Sequence, residues 1–483
     1  MQFKAVWKII GILLMIFSFS MLVPVPISFY FQDTDVLPFF LCFFVTFATG
    51  AILYYLCYKS SLELKVRDGF LIVILFWTVL SAFAGLPLIF GMHHHMSFTD
   101  AMFEAVSGFT TTGSTILPDV TRLPPALMYY RQQLQFLGGM GIIVLAVALL
   151  PMLGVGGMQL YRAETPGPMK EDKITPRITE TAKTIWFIYV GLVIICALAY
   201  WAAGMTPFDA IEESFSTLST GGFSTHNTSF AYYHSHTIEL IAIIFMFIGG
   251  ANFSLHYLAL MKGNLKHYWK DIEFRSYLFI VLAVLVLSVI VLRFYEVYQT
   301  TGSDIIQSLF SIVSIMTTTG YVSANFAQWP AFLPFLFMLL GLLGACGGST
   351  SGGLKVIRAV ILKKQFSKEL KRLIHPQGVY PLKLGDRVLA PSMMEMIWAF
   401  ASAYIGVLVI SMILLMATGI SLQDSFGSVA QTLGNVGAGI GKYAYNSAGL
   451  NAFSKWVLIF DMIAGRLEVF TVLLIFSSAF WRS

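Results

Sequence analysis

Four short stretches decide how this chain folds: Thr110–Thr115 (TTTGST), Ser219–Ser224 (STGGFS), Thr317–Val322 (TTTGYV) and Gly434–Gly439 (GNVGAG). They align on Gly113, Gly222, Gly320 and Gly437, at spacings of 109, 98 and 117 residues. Sixteen residues before these glycines stand Ser97, Thr206, Asp304 and Ser421; thirteen before them stand Asp100, Asp209, Gln307 and Asp424. Each pair has the form of a helix start, a capping residue followed three positions later by an acid or amide that reaches back to it. Six residues before the glycines come Ser107, Ser216, Ser314 and Gln431. One capping box arises easily by chance. Four in one register, ahead of four Thr/Gly loops, mark a unit of roughly 100 residues used four times.

Each unit starts a helix, runs it for about a dozen residues and stops it at the loop. At about 1.5 Å per residue such a helix is ~18 Å long, too short for a hydrocarbon core of ~30 Å. It therefore reads as a re-entrant half-helix. Backbone carbonyls exposed at membrane depth are tolerated only where they line a cavity. The C-terminus of a helix carries partial negative charge, so a cation is the favoured occupant. Four loops around one axis are the means by which potassium filters replace an ion's hydration shell with carbonyl oxygens. The expected ligands are the carbonyls of Thr111, Thr112 and Gly113, of Thr220, Gly221 and Gly222, of Thr318, Thr319 and Gly320, and of Asn435, Val436 and Gly437.

Composition agrees with a membrane setting. Hydrophobic residues are 57% of the 483 and charged residues 11%, where a soluble domain carries about 25% charged. The net charge of +5 does not indicate nucleic-acid binding, because the basic residues are sorted by side. Twenty-four of the thirty Lys and Arg fall in segments expected on the cytoplasmic face, five outside, and Arg466 within a span. That is the positive-inside bias. The four cysteines are scattered and form no CxxC, so neither a disulfide framework nor a zinc site is expected.

Taken in order, residues 1–69 supply two additional membrane helices (about Lys8–Tyr30 and Leu37–Tyr58), with the N-terminus held in the cytoplasm by Lys4 and Lys8. No small-residue cleavage site follows the first, which is kept as a membrane helix. Repeat one occupies 70–160, with a first span Phe70–Phe90 and a return span Leu134–Leu153; a cytoplasmic connector follows at 161–183. Repeat two is 184–262 (Ile185–Ala203, then Ile238–Leu260) and repeat three 263–362 (Tyr277–Leu292, returning from Phe332). A basic cytoplasmic loop fills 363–391, and repeat four runs over 392–483 (Ile397–Ala417, then Phe453–Phe480). The expected fold is all-α: four tandem helix, half-helix, loop, helix units around a pseudo-fourfold pore. Glycines 138, 139, 249 and 250 read as packing positions on the return helices.

The return helix of repeat three stands apart. At mid-depth it carries Gly344, Gly347, Gly348, Ser349, Thr350, Ser351, Gly352 and Gly353. Each glycine costs a helix about 1 kcal/mol relative to alanine, so this run is expected to break it. Irregular backbone below a filter can obstruct it. Arg466, at similar depth in repeat four, has no acid on its own helical face, since Glu468 is two positions away and Asp461 five. The expected gate is therefore the segment Gly347, Gly348, Ser349, Thr350, Ser351, Gly352 together with Arg466.

This pattern resembles the TrkH/TrkG/KtrB superfamily of potassium uptake proteins, and the two additional N-terminal spans resemble its TrkH branch. The resemblance covers the whole chain and is carried by the four loops, by ACGGSTSGG (Ala345–Gly353) and by GRLE (Gly465–Glu468). The fourth loop departs most, with Asn435 and Val436 where the others have Thr or Gly. The resemblance implies K+ as the transported ion and residence in the bacterial inner membrane. It also implies a homodimer in contact with lipid and a TrkA-like cytosolic regulatory subunit that binds nucleotide. In plant relatives a serine at the first filter glycine accompanies sodium permeation, so Gly113 implies potassium. The residues leave open whether protons or sodium accompany it in symport.

Other classes fit less well. GNVGAGIGK mimics a phosphate loop, but Val436 stands where the Walker motif needs glycine and no strand precedes it. His93, His94 and His95 are consecutive in an outer loop and read as solvated. No Ser/His or paired-Asp constellation lies within spans, which argues against an intramembrane protease. The repeats share one orientation, unlike the inverted repeats of substrate symporters.

Overall fold

The computed structural model describes residues 1–33, 36–60, 64–91, 96–144, 175–385 and 387–482. His93–His95, most of the 161–183 connector and the end of the first return span lie outside the described residues. Six helices are long and apolar enough to cross a membrane: Phe3–Phe31, Val36–Leu56, Arg67–Phe90, Lys183–Ala202, Ile272–Phe294 and Pro391–Met416. The first two are the N-terminal pair, and the other four open the four repeats. This is a multi-pass, all-α membrane protein. Among the described residues the only strands form an antiparallel ribbon, Lys383–Leu384 against Arg387–Val388.

The four half-helices form as their start signals predict, with one correction. Phe98–Phe109, Pro207–Ser219 and Leu422–Leu433 begin after Ser97, Thr206 and Ser421. The capping oxygens accept from the amides of Asp100, Asp209 and Asp424 at 3.2, 3.1 and 3.2 Å. In repeat three the helix is one turn longer, Thr301–Met316, and its cap is Thr300, not Asp304. Thr300 accepts from Ser303 at 3.3 Å, and Asp304 is buried inside the helix. A threonine four residues earlier out-competes the acid, because its hydroxyl reaches a free first-turn amide while the chain is still extended.

The return paths depart further from expectation. In repeat one the return helix starts at Pro125, earlier than Leu134, since Pro124-Pro125 suits a helix N-terminus. In repeat two the expected single span is broken, and His236–Gly249 meets Phe253–Lys262 at 94°. Asn252 starts the second piece by accepting from Ser254 at 2.8 Å. Repeat three breaks where its glycines predict, between Phe332–Leu343 and Val356–Ile374. Repeat four also breaks: Ala452–Arg466 stops, Glu468 turns left-handed (φ +54°), and the short helices Phe470–Leu474 and Ser478–Trp481 follow. A single broken return helix was expected; three are present among the described residues.

Among the described residues, two large apolar cores hold these pieces. One joins the N-terminal helices to repeats one and four through residues such as Leu14, Phe109, Leu134 and Met462. The other joins repeats two and three through Leu218, Met246, Val281 and Phe337. The four loops lie where the repeats meet.

Candidate functional site: a ring of four loops and the segment beside it

Each half-helix ends by turning into its loop with the same dihedral pattern. Thr111, Thr220, Thr318 and Asn435 are left-handed at φ +52°, +52°, +59° and +53°. The glycines two residues on are left-handed again, Gly113 at +82°, Gly222 at +85°, Gly320 at +80° and Gly437 at +75°. The residues between them are not. The amides of Thr112, Gly221, Thr319 and Val436 donate to the carbonyls of Ser107, Ser216, Ser314 and Gln431, each at 2.8 Å. These acceptors are the positions six residues before each glycine. A trans peptide holds its N–H and C=O on opposite sides. Tethering those amides to the half-helix therefore turns the carbonyls of Thr111, Thr220, Thr318 and Asn435 away from it.

The loops close on one another in sequence order. A Cβ placed on Gly113 would lie 2.2 Å from the carbonyl oxygen of Gly221, and one on Gly222 would lie 2.0 Å from that of Thr319. One on Gly320 would meet Val436 O at 1.7 Å, and one on Gly437 would meet Thr112 O at 2.3 Å. Each glycine thus faces the carbonyl of the next loop, and the fourth returns to the first. All twelve expected ligand residues are brought together here. The four helix C-termini converge on the same place, which makes it favourable for a cation.

Side chains behind the ring hold it in shape, and the loop motifs did not reveal them. Glu104 and Glu213 stand nine residues before Gly113 and Gly222. Each accepts from the hydroxyl two residues after its glycine and from the amide three after it: Thr115 and Ile116 for Glu104, Ser224 and Thr225 for Glu213. Repeats three and four carry Ser311 and Ser428 at this position. Glu104 also pairs with buried Arg131 at 2.6 Å, whose guanidinium lies over the Phe223 ring. Gln135 donates to Gly221 O at 2.6 Å. Asn435 uses its side chain to tie Thr112 Oγ1 (2.8 Å) to Met462 O (2.9 Å). The shared register of the two glutamates was the available signal. At the outer rim, hydrogen bonds from Thr121 and Asn227 hold the Asp119 carboxyl down at about 2, so it stays ionised.

Removing one member of a buried ion pair leaves the other uncompensated, at a cost of about 3–5 kcal/mol. Glu104→Ala is therefore expected to lower the melting temperature of the purified protein sharply, and the double change with Arg131→Met to recover much of the loss. Thermal melts in detergent check this, and a single variant as stable as the parent would refute the assigned role.

The return-helix glycines prove to be packing positions. A Cβ on Gly138 would lie 1.9 Å from Phe109 O, and one on Gly250 would lie 2.8 Å from Thr317 Cγ2. Segment 344–355 packs against the ring on the side where the half-helices end. Thr350 Oγ1 lies 3.0 Å from Leu218 O and 3.2 Å from Thr220 Oγ1. Gly352 donates to Thr318 Oγ1 at 2.7 Å, and its missing Cβ faces Gly434 O at 2.4 Å. The segment thus touches three of the four loops. It is also hydrogen-bonded to the break of repeat two, by Cys346 N to Gly250 O and Phe253 N to Gly348 O, both 3.0 Å. From the break of repeat four, Arg466 Nη1 donates to Thr350 O at 2.7 Å. The three broken helices satisfy one another's backbone, as irregular chain inside a membrane requires.

Residues 37–483 match the sequence profile of a family described as TrkH, cation transport protein. The chain belongs to the TrkH family. It is 49% identical to the Trk system potassium uptake protein TrkH of Salmonella typhimurium over the full length of both chains. It is 38% identical to the Trk system potassium uptake protein TrkG of Escherichia coli, with 99% of each chain covered. Its structure superposes on the crystal structure of the potassium transporter TrkH from Vibrio parahaemolyticus with a TM-score of 0.93, 45% identity and complete coverage of both. Membership of the TrkH family agrees with the four-repeat architecture and the two N-terminal helices.

Proposed function

We propose that this protein takes up potassium across the bacterial inner membrane through the ring of four loops, which acts as its selectivity filter. The observation that carries the proposal is the cyclic contact of glycines 113, 222, 320 and 437 with the carbonyls of the next loop. An ion on that axis exchanges its water for backbone oxygens. The inward-negative membrane potential supplies about 2.3 kcal/mol per charge per 100 mV, enough to concentrate the ion without chemical coupling. The relatives named above as potassium uptake proteins and a potassium transporter support the choice of ion. Segment Gly347–Gly352, with Arg466 donating to Thr350 O, forms the gate, since it rests against Thr220, Thr318 and Gly434 of three loops. The test is isotope uptake into vesicles holding the purified protein. Uptake driven by a membrane potential alone supports this reading; a strict requirement for a proton or sodium gradient would replace it with coupled symport.

Opening falls to a TrkA-like cytosolic nucleotide-binding subunit, bound to a homodimer of this chain at the basic inner face. The helix Val356–Ile374 leads directly from the gate segment and carries Lys363, Lys368, Lys371 and Arg372. Lys364 is committed to Lys383 O at 2.8 Å and is best left in place. Neutralising the other four together is expected to reduce co-purification of the regulator roughly tenfold or more, each lost exposed contact being worth about 0.4 kcal/mol. Undiminished capture of the regulator by that variant would exclude docking there and leave these charges to topology and anionic lipid.

A further inference from the structure

One side chain holds both the start of the gate segment and the helix that follows it. Glu273 opens the first helix of repeat three and is buried. Its Oε1 accepts from the amide of Gly347 at 2.7 Å and from the amide of Ile357 at 3.1 Å. Gly347 begins the segment. Ile357 lies in the first turn of the basic helix Val356–Ile374, where amides have no acceptor within the helix. A carboxyl oxygen at that place supplies the acceptor that first-turn amides lack. The next residue, Arg358, pairs with Glu468 at 2.6 Å and lies over the Phe400 ring. The first turn of the basic helix is thus fixed by one acid from repeat three and one from repeat four.

We infer that Glu273 is a positioning residue that latches the gate segment to the basic helix, so that displacement of that helix frees the segment. The inference rests on the gate reading proposed above. Because Oε1 is shared, the helix cannot carry Ile357 away without disturbing the partner of Gly347. Arg466 grips the middle of the segment at Thr350, and Glu273 grips its start at Gly347 and the helix after it at Ile357. The two contacts therefore act on the same closed state from different sides. A glutamine at 273 keeps an acceptor oxygen of the same reach; an alanine keeps none.

Cys346 is buried beside Gly347 and reports on the segment once Cys42, Cys57 and Cys196 are replaced. In that background Glu273→Ala is expected to label at Cys346 several-fold faster with a thiol reagent and to raise basal potassium flux in vesicles several-fold. Glu273→Gln is expected to behave as the parent in both. Ile357→Pro removes the donor instead of the acceptor without costing an intrahelical hydrogen bond, since first-turn amides have none, and is expected to reproduce the alanine variant should that one fail to fold. A folded Glu273→Ala or Ile357→Pro protein with Cys346 still protected and flux unchanged overturns the latch, as does a glutamine variant as leaky as alanine. Deleting Gly347–Gly352 separates the two ideas. If the deletion raises flux while neither latch variant does, the gate stands and the latch falls; if the deletion itself leaves flux unchanged, the gate reading fails first.

Discussion

Gly113→Ser is expected to lower the preference for potassium over sodium by about tenfold or more, equivalent to 1.4 kcal/mol of discrimination. Two effects act together. A side chain in the left-handed region costs about 1–2 kcal/mol, and Gly113 sits there at φ +82°. The added Cβ would also lie 2.2 Å from Gly221 O, so that carbonyl must move off its place in the ring. A displaced ligand widens the site and removes part of what replaces the hydration shell. Competition between potassium and sodium in isotope uptake measures the change. Gly419→Ala is the control: its φ is +90° and nothing lies within 4 Å of the added Cβ, so it carries similar backbone strain without touching the ring. Unaltered selectivity in Gly113→Ser would remove the loop from the filter.

Arg466→Ala is expected to raise basal flux in the absence of any cytosolic partner. A hydrogen bond from a charged donor contributes about 1.5–3 kcal/mol, which corresponds to roughly a ten- to hundredfold shift between closed and open populations. In this protein that bond joins Arg466 Nη1 to Thr350 O. Deleting Gly347–Gly352 should give a larger rise, because it also removes the contacts of Thr350 and Gly352 with the loops of repeats two and three. Flux into vesicles containing monodisperse protein is the measurement. A folded deletion variant with equal or lower flux would eliminate the gate.

How much of this could be read in the chain depended on whether a signal was local. The half-helices were legible because a cap, an acid three residues on and a Thr/Gly stop all lie within about 20 residues. The break in repeat three was legible because glycine acts on its own helix. The breaks in repeats two and four were not. Gly249-Gly250 is ambiguous between close packing and a bend, and Asn252 begins a helix only because the segment of repeat three is there to occupy the gap. Arg466 needs a partner off its own helical face, as its sequence context required, but which partner follows from a fold that brings the carbonyl of residue 350 to it. Glu104 and Glu213 repeat in register, yet two positions out of four do not make a motif. The outer cap of repeat three was misread because two overlapping starts, Thr300 and Asp304, compete within one turn.

The order of the ring also bears on how the molecule is made. Gly437 closes against Thr112, and the two belong to the first and last repeats of the chain. The same seam is stitched by Ser447 N to Thr115 O at 2.8 Å and by the Lys455–Asp100 ion pair at 2.6 Å. A chain emerging from the ribosome N-terminus first holds three loops in hand long before the fourth arrives. Until residues 437 and 455 have been made, Thr112 lacks Gly437 across the ring and Asp100 lacks its lysine. Nascent or prematurely terminated chains that lack the fourth loop therefore cannot close the ring.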